Sequence, residues 1–340
     1  MEHSKPPDCL PSSKFVSLKE IDAEPPLGTA LGVVRYTSEC SGPRVADGTA
    51  ELSLHMTGPR ESGFAEVWTA GRPVESGRRE GIVYAHDGEY LFCAGHIPEG
   101  ARYAEETRAA YVEALDLMDT LGFKNCFRMW NFVNDINGEN ADGLEVYRDF
   151  CRGRAEAFEQ FRFSGTELPA ATGIGSLGGG IAFYFLASRS GAIASVENTK
   201  QIPPYHYPVR YGPRPPKFSR ATCLARDHTG LASGQIYVSG TASIRGHETL
   251  HQGDIDRQCR LTLENIAHVV GAENLAEHGL AEGRELSDLR NIKVYVRHPE
   301  HVPAVRDLCE QAFAPDADIE FLNVDICRSD LLVEIEGIVA

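Results

Sequence analysis

Positive charge is scarce in this chain. Its 340 residues carry 33 Lys and Arg against 49 Asp and Glu, a formal net charge of −16. A field of that sign repels phosphate backbones, which argues against nucleic acid as a partner. No apolar run approaches the length of a membrane span, so no membrane partner is expected. The opening MEHSKPPDCLPSSKF lacks the basic and then apolar pattern of a secretory signal, and a cytoplasmic protein is the expectation. Nine cysteines are present, but none falls in a CxxC or Cys/His ligand spacing, so neither a disulfide framework nor a zinc site is indicated.

Two further motifs lack what their chemistry would need. The glycine-rich Gly173–Gly180 (GIGSLGGG) has no Gly-Lys-Ser/Thr after it and runs into the apolar strand IAFYFLA. It therefore reads as a flexible turn bordering a cleft rather than a phosphate loop. His247 and His251 are four residues apart in GHETLHQGD, but glycines flank them and no third ligand is evident. No metal and no cofactor are expected.

What is present fits a soluble globular protein: 42% hydrophobic and 24% charged residues. The length suits two domains, or one domain doubled, and the two halves repeat each other. In the first, the strand Tyr90–Gly95 (YLFCAG) leads to a helix over Glu105–Leu121, a strand at Cys126–Val133, a helix containing YRDFC (Tyr147–Cys151) and a closing strand at Ile181–Ala187. In the second, QIYVSG (Gln235–Gly240) leads to a helix over Asp254–Val270, a strand at Asn291–Val296, a helix containing VRDLC (Val305–Cys309) and a closing strand at Leu331–Val339. Gly122 and Gly271 follow the long helices, where a left-handed cap is expected. Arg148 and Arg306 occupy matching positions, which suggests a structural role for both. Residues 22–80 read as strands and loops flanking the first copy.

The closing strand of the second copy is unusual, because it carries two acids. Alternation puts Leu332, Glu334 and Glu336 on one face and Val333 and Ile335 on the other. Neighbouring carboxylates resist simultaneous ionisation, so one can hold its proton near neutral pH and act as a general acid. The competing reading is a sheet edge with both acids in water. The first copy's closing strand has no acid, so the fold alone does not require them, and this favours function. Cys327 stands just upstream as a possible thiol partner. Arg128 and Trp130 share a strand face and are second-tier candidates for the domain interface.

Between the halves lies Gln201–Arg220, with six prolines in twenty residues, which excludes a helix or central strand. Its tyrosines and arginines suit a flat anion in a boundary cleft. The alternative is a rigid linker whose tyrosines pack on both domains. The division expected is 1–200, a connector at 201–220, and 221–340.

The second half resembles the RidA/YjgF family of small trimeric proteins, on SGQIYVSG (Ser233–Gly240), GDIDRQCRLTLENI (Gly253–Ile266) and the terminal VEIEGIVA. That resemblance implies an α+β fold of two RidA/YjgF-like (chorismate-mutase-like) repeats, each a mixed sheet with helices packed on one face. The family's substrate-gripping arginine would fall at or near Ile319, so imine or enamine hydrolysis loses its anchor. Over nearly its whole length the chain is similar to the chorismatases, on FRMWNFVNDIN (Phe127–Asn137), YHYPVRYGPRPPKFSR (Tyr205–Arg220) and ICRSDLLVEIEG (Ile326–Gly337). This resemblance implies chorismate as substrate, with Glu334 as the catalytic acid and Gly240 and Cys327 as pocket residues that set the product. Hydrolytic members carry alanine and valine there, whereas glycine with cysteine is similar to the 3-hydroxybenzoate-forming type. Tyr205, Arg210, Tyr211 and Arg214 are the candidate clamps for the two substrate carboxylates, and a monomer is expected. The rival readings are a hydrolytic chorismatase giving a diol, a RidA-like hydrolase and a non-enzymatic ligand-binding module.

Overall fold

The computed structural model describes residues 10–339 except 27, 59–62, 162, 164–167, 228–230, 232–233 and 281. The lead-in through Cys9, Ser233 and Ala340, all parts of motifs quoted above, lie outside the described residues. Among the described residues no helix is long and apolar enough to cross a membrane.

Five strands form a first sheet: Ser12–Ser17 (β1), Ala30–Thr37 (β2), Ser41–Ala46 (β3), Thr49–His55 (β4) and Phe64–Thr69 (β5), with the short helix Leu18–Ala23 (α1) after β1. The first copy follows as Glu75–Arg79 (β6), Ile82–His86 (β7), Tyr90–Ile97 (β8), Ala104–Thr120 (α2), Asn125–Asn134 (β9), Val146–Gln160 (α3), Ala170–Ser176 (β10) and Ile181–Ser188 (β11). The second begins with Ala192–Val196 (β12), Ala221–Ala225 (β13), Gln235–Ala242 (β14) and a small hairpin, Ile244–Arg245 (β15) with Glu248–Thr249 (β16). It continues with Ile255–Val270 (α4), Ala272–Glu277 (α5), Leu289–Val296 (β17), Val302–Ala312 (α6), Ile319–Asn323 (β18) and Val333–Val339 (β19).

The duplication read from the motifs is a duplication of topology. The two large sheets run β6-β7-β8-β11-β9-β10 and β12-β13-β14-β19-β17-β18, and in each the last pair is parallel and the others antiparallel. The α+β class holds, with two mixed-sheet repeats. Helices α2 and α3 cover one face of the first repeat, and α4 and α6 cover the corresponding face of the second. Their periodic apolar stripes bury against the sheets, and each fully buried apolar side chain contributes about 1.5–3 kcal/mol.

Residues 22–80 hold more order than the sequence reading gave them. The first sheet runs β1-β5-β2-β4-β3, with β2 and β4 parallel and β5 antiparallel to both β1 and β2. That is the arrangement of β8, β11, β9 and β10, with α1 where α2 stands and β3 in place of the second helix. The chain therefore contains a third, reduced copy of the unit. The inner faces of the three sheets share one core, with Tyr36 from the first, Trp130 and Tyr184 from the second, and Tyr237 and Tyr295 from the third. Three backbone hydrogen bonds join the units into a ring, each 2.8 Å long: Gly175 N to Asp325 O, Asn323 N to Thr57 O, and Leu177 N to His55 O.

Several local expectations change. Gly122 adopts φ +81°, a left-handed cap. Gly271 does not: at φ −71° it is extended and leads directly into α5. Four residues of the glycine-rich motif, Gly173–Ser176, belong to β10, and the turn is confined to the residues after it. The connector has neither α-helix nor strand, only two single 3-10 turns. It leaves and re-enters one sheet, because β12 before it pairs with β13 after it, although β12 falls within residues 1–200.

Candidate active site

Strand β19 lies between β14 and β17, so it is not an edge. Val333 and Ile335 pack under the helices, and alternation turns Glu334 and Glu336 inward, where they are only 4% and 2% exposed. Two carboxyls so buried must each be neutralised by a partner or by a proton, and the structure does one of each.

Glu336 has partners on all sides. Arg128 Nη2 donates to Oε2 at 2.6 Å, Trp130 Nε1 donates to Oε1 at 2.8 Å, Lys293 Nζ stands 3.0 Å from Oε1, and the Thr172 and Tyr295 hydroxyls also donate to it. Burial alone would raise its pKa, but Lys293 and Arg128 bring it down to about 2. The shared face of Arg128 and Trp130, legible in the sequence, thus serves to hold this carboxylate across the boundary between repeats. Lys293 also reaches Glu66 Oε2 at 2.8 Å, and that oxygen accepts from Tyr184 OH at 2.8 Å and Tyr36 OH at 3.3 Å.

Glu334 receives far less support. Its hydrogen-bonding partner is the Cys327 thiol, 3.9 Å from Oε2. Burial first, and the Glu336 charge second, push its pKa up to about 8, so at neutral pH it carries a proton. Room for the carboxyl comes from a β-bulge. Between Val238↔Gly337 and Thr241↔Ile335, β14 sets Ser239 and Gly240 against the single residue Glu336. A Cβ on Gly240 would collide with Glu334 Oε1. The space that Gly240 leaves is therefore occupied first by the acid.

Cys327 sits in the Ile326–Leu331 loop, which Arg297 fastens by donating to the carbonyls of Ile326 (3.0 Å), Arg328 (2.9 Å) and Leu331 (2.8 Å). The thiol is half-buried and its open side faces a cavity. Burial first, and Glu334 second, push its pKa well above the ordinary thiol range, so it stays protonated.

The cavity, about 220 Å³, lies between the two large repeats. Glu334, Cys327, Gly240, Tyr147 and Gly173 all line it. Three arginines line it: Arg148 from α3, Arg220 at the end of the connector and Arg328 beside Cys327. Arg220 is 3% exposed. Its Nη2 donates to Tyr207 OH at 2.7 Å, while its buried Nε has no hydrogen-bond partner among the described residues. Arg328 stacks over Tyr211 at 4.1 Å and donates to His247 O at 2.9 Å. Such a set suits a small anionic ring compound.

Of the connector residues chosen from the sequence, Tyr211 lines the cavity, whereas Tyr205, Arg210 and Arg214 do not. Arg210 is paired with Glu248 and His247 at the surface, and Arg214 with Glu159 at 3.1 Å. Tyr205 packs on the helix side of the first repeat, beside Glu197. Arg148 also departs from its expected role: it faces the cavity, while its counterpart Arg306 stacks on Phe321 at 4.2 Å. Arg328 had a usable signal, since it follows Cys327 inside the ICRSD match.

A ring-shaped α+β protein with a buried, protonated glutamate facing an arginine-lined cavity is what the fold and site define. The family profile described as chorismatase FkbO/Hyg5-like, N-terminal, matches residues 66–187. A 3-hydroxybenzoate synthase of Streptomyces hygroscopicus is 59% identical over 93% of this chain and 93% of its own length. A chorismatase of Streptomyces rapamycinicus is 47% identical over 98% of this chain and 99% of its own. A crystal structure of a chorismatase, 43% identical, covers 97% of this chain and 98% of that one with a TM-score of 0.92. The chain belongs to the chorismatase family.

Proposed function

We propose that the protein converts chorismate into 3-hydroxybenzoate and pyruvate. The observation that carries this reading is Glu334, a buried acid that keeps its proton at neutral pH and faces a cavity whose lining includes three arginines alongside Glu145 and Asp330. Chorismate has two carboxylates, an enol ether at ring carbon 3 and a hydroxyl at carbon 4. Glu334 protonates the enol ether methylene, and the C3–O bond breaks as pyruvate departs. The 4-hydroxyl attacks carbon 3 from the opposite face and gives up its proton, forming an arene oxide. Opening of the C4–O bond leaves oxygen on carbon 3, and loss of a ring proton restores aromaticity. Substrate and products balance without water, oxidant or reductant, so only proton transfers are required. A protonated thiol is a poor base, so Cys327 orients the 4-hydroxyl. Arg148, Arg220 and Arg328, with Tyr211, bind the two carboxylates.

The cavity lies between two repeats of the same chain, the kind of junction that separate subunits form in a RidA-like trimer, and a monomer is the state we propose. The free thiols among the described residues suit a reducing cytoplasm. The test is incubation of purified protein with chorismate alone, followed by product separation. Pyruvate with 3-hydroxybenzoate is expected. A dihydroxycyclohexadiene product would assign the hydrolytic subtype instead, and no turnover would overturn the enzyme reading.

A further inference from the structure

The charges behind Glu334 reach into the reduced N-terminal unit, none of whose described residues lines the cavity. Starting from β19, Arg128 and Lys293 both contact the Glu336 carboxylate, and Lys293 continues to Glu66 on β5. Arg128, Lys293, Glu66 and Glu336 are all 3% exposed or less. Within this group two cations and two carboxylates cancel, while Arg220, 3% exposed, adds a further positive charge on the cavity side of Glu334. In so dry a medium Coulomb terms are poorly screened, so a charge removed from this group is felt at Glu334.

We propose that Glu66, acting through Lys293 and Glu336, is a positioning residue that keeps the Glu334 proton in place for the reaction. The inference rests on Glu334 being the acid. No element near Glu334 is a bystander: Glu336 lies on its own strand, Cys327 on the preceding loop, Arg128 on β9, Arg220 before β13, Tyr147 on α3 and Tyr295 opposite on β17. Glu66 is faced by Tyr36, Tyr184 and Lys293. Lys293 is the cation common to both carboxylates, so the N-terminal unit sets how much positive charge is left over for Glu334. Removing Glu66's charge makes the interior more positive by one, which favours the ionised form of Glu334. Removing that of Lys293 makes it more negative by one and favours the protonated form.

The experiment is the pH dependence of kcat for pyruvate release. Activity needs protonated Glu334, so it falls on the alkaline side. Glu66→Gln is expected to move that limb about one pH unit downward, and Lys293→Gln about one unit upward. The double variant Glu66→Gln with Lys293→Gln restores the wild-type net charge and returns the limb to the wild-type position. A purely structural role would lower activity or stability without moving the limb in opposite directions. Folded single variants with unmoved limbs overturn the proposal. Should a single variant not fold, a displaced limb in the double variant overturns it equally. Glu334→Gln separates the two readings: full turnover in that variant removes the acid itself, whereas an inactive one with unmoved limbs elsewhere refutes only the link to Glu66.

Discussion

Strands β8 and β11 of the first repeat pair without interruption from Ile97↔Ile181 to Tyr90↔Ser188. Their counterparts β14 and β19 break register at Ser239 and Gly240. In the unbroken pair, the space beside Gly95 is filled by the Phe183 ring. In the bulged pair, the space beside Gly240 is filled by a carboxyl. The closing strands show the same contrast. Opposite an aromatic ring of the neighbouring strand stand Phe64, Tyr184 and Glu334 in the three units, and two residues further stand Glu66, Leu186 and Glu336. One scaffold thus builds either a plain core or an acid site, and a few residues decide which.

The largest expected effect comes from removing the feature unique to the second repeat. Glu334→Gln should lower pyruvate release by about 10²–10⁴-fold while circular dichroism stays unchanged. Full activity would erase the distinction between the repeats. Copying the first repeat at the next inward position, Glu336→Leu, leaves Arg128 and Lys293 with an unbalanced charge. A loss of about 3–5 kcal/mol in denaturant unfolding is expected.

A third test uses pH. The folded pKa of Glu334 is raised to about 8 from an ordinary 4.5, so folding retains a proton that the unfolded chain gives up. The Glu334 contribution to stability is full below 4.5 and is lost as pH rises towards 8. Relative to wild type, Glu334→Gln should therefore gain stability between pH 4.5 and 7, by up to about 3 kcal/mol. A difference that stays flat over that range would show that Glu334 is not held protonated.

The two glycines give a matched pair. Gly240→Ala should push the Glu334 carboxyl aside and raise the share of diol in the product, at little cost in stability. Gly95→Ala should crowd Phe183, costing about 1–3 kcal/mol, and leave turnover nearly untouched. The smallest effect is expected from Cys327→Val, which should alter the ratio of 3-hydroxybenzoate to diol in the product mixture more than the overall rate.

Much of this was legible in the sequence for a physical reason. Period-two alternation fixes that Glu334 and Glu336 share a face, and the matching motifs fix the shared strand order. Alternation likewise put Arg128 with Trp130. The carboxylate clamps were less legible, because the face that the connector shows to the cavity depends on long-range partners. Arg210 is drawn away by Glu248 and Arg214 by Glu159, neither of them near in sequence. The reduced N-terminal unit escaped because its first helix has only six residues and a strand replaces its second. The bulge left no signal at all: YLFCAG and QIYVSG have equal length, and the register break exists only in the pairing.

The ring closure has a consequence for how such a site can change. When three identical subunits form a ring, each substitution appears three times, and a residue that suits one interface must be tolerated at the other two. Here separate stretches of one chain encode the three sectors. Phe64 can remain core filler and Tyr184 a hydrogen-bond donor to Glu66 while the same position in the last sector becomes a reagent. Covalent fusion has released that position from symmetry, so one mouth can specialise while the other two junctions serve as ordinary interior.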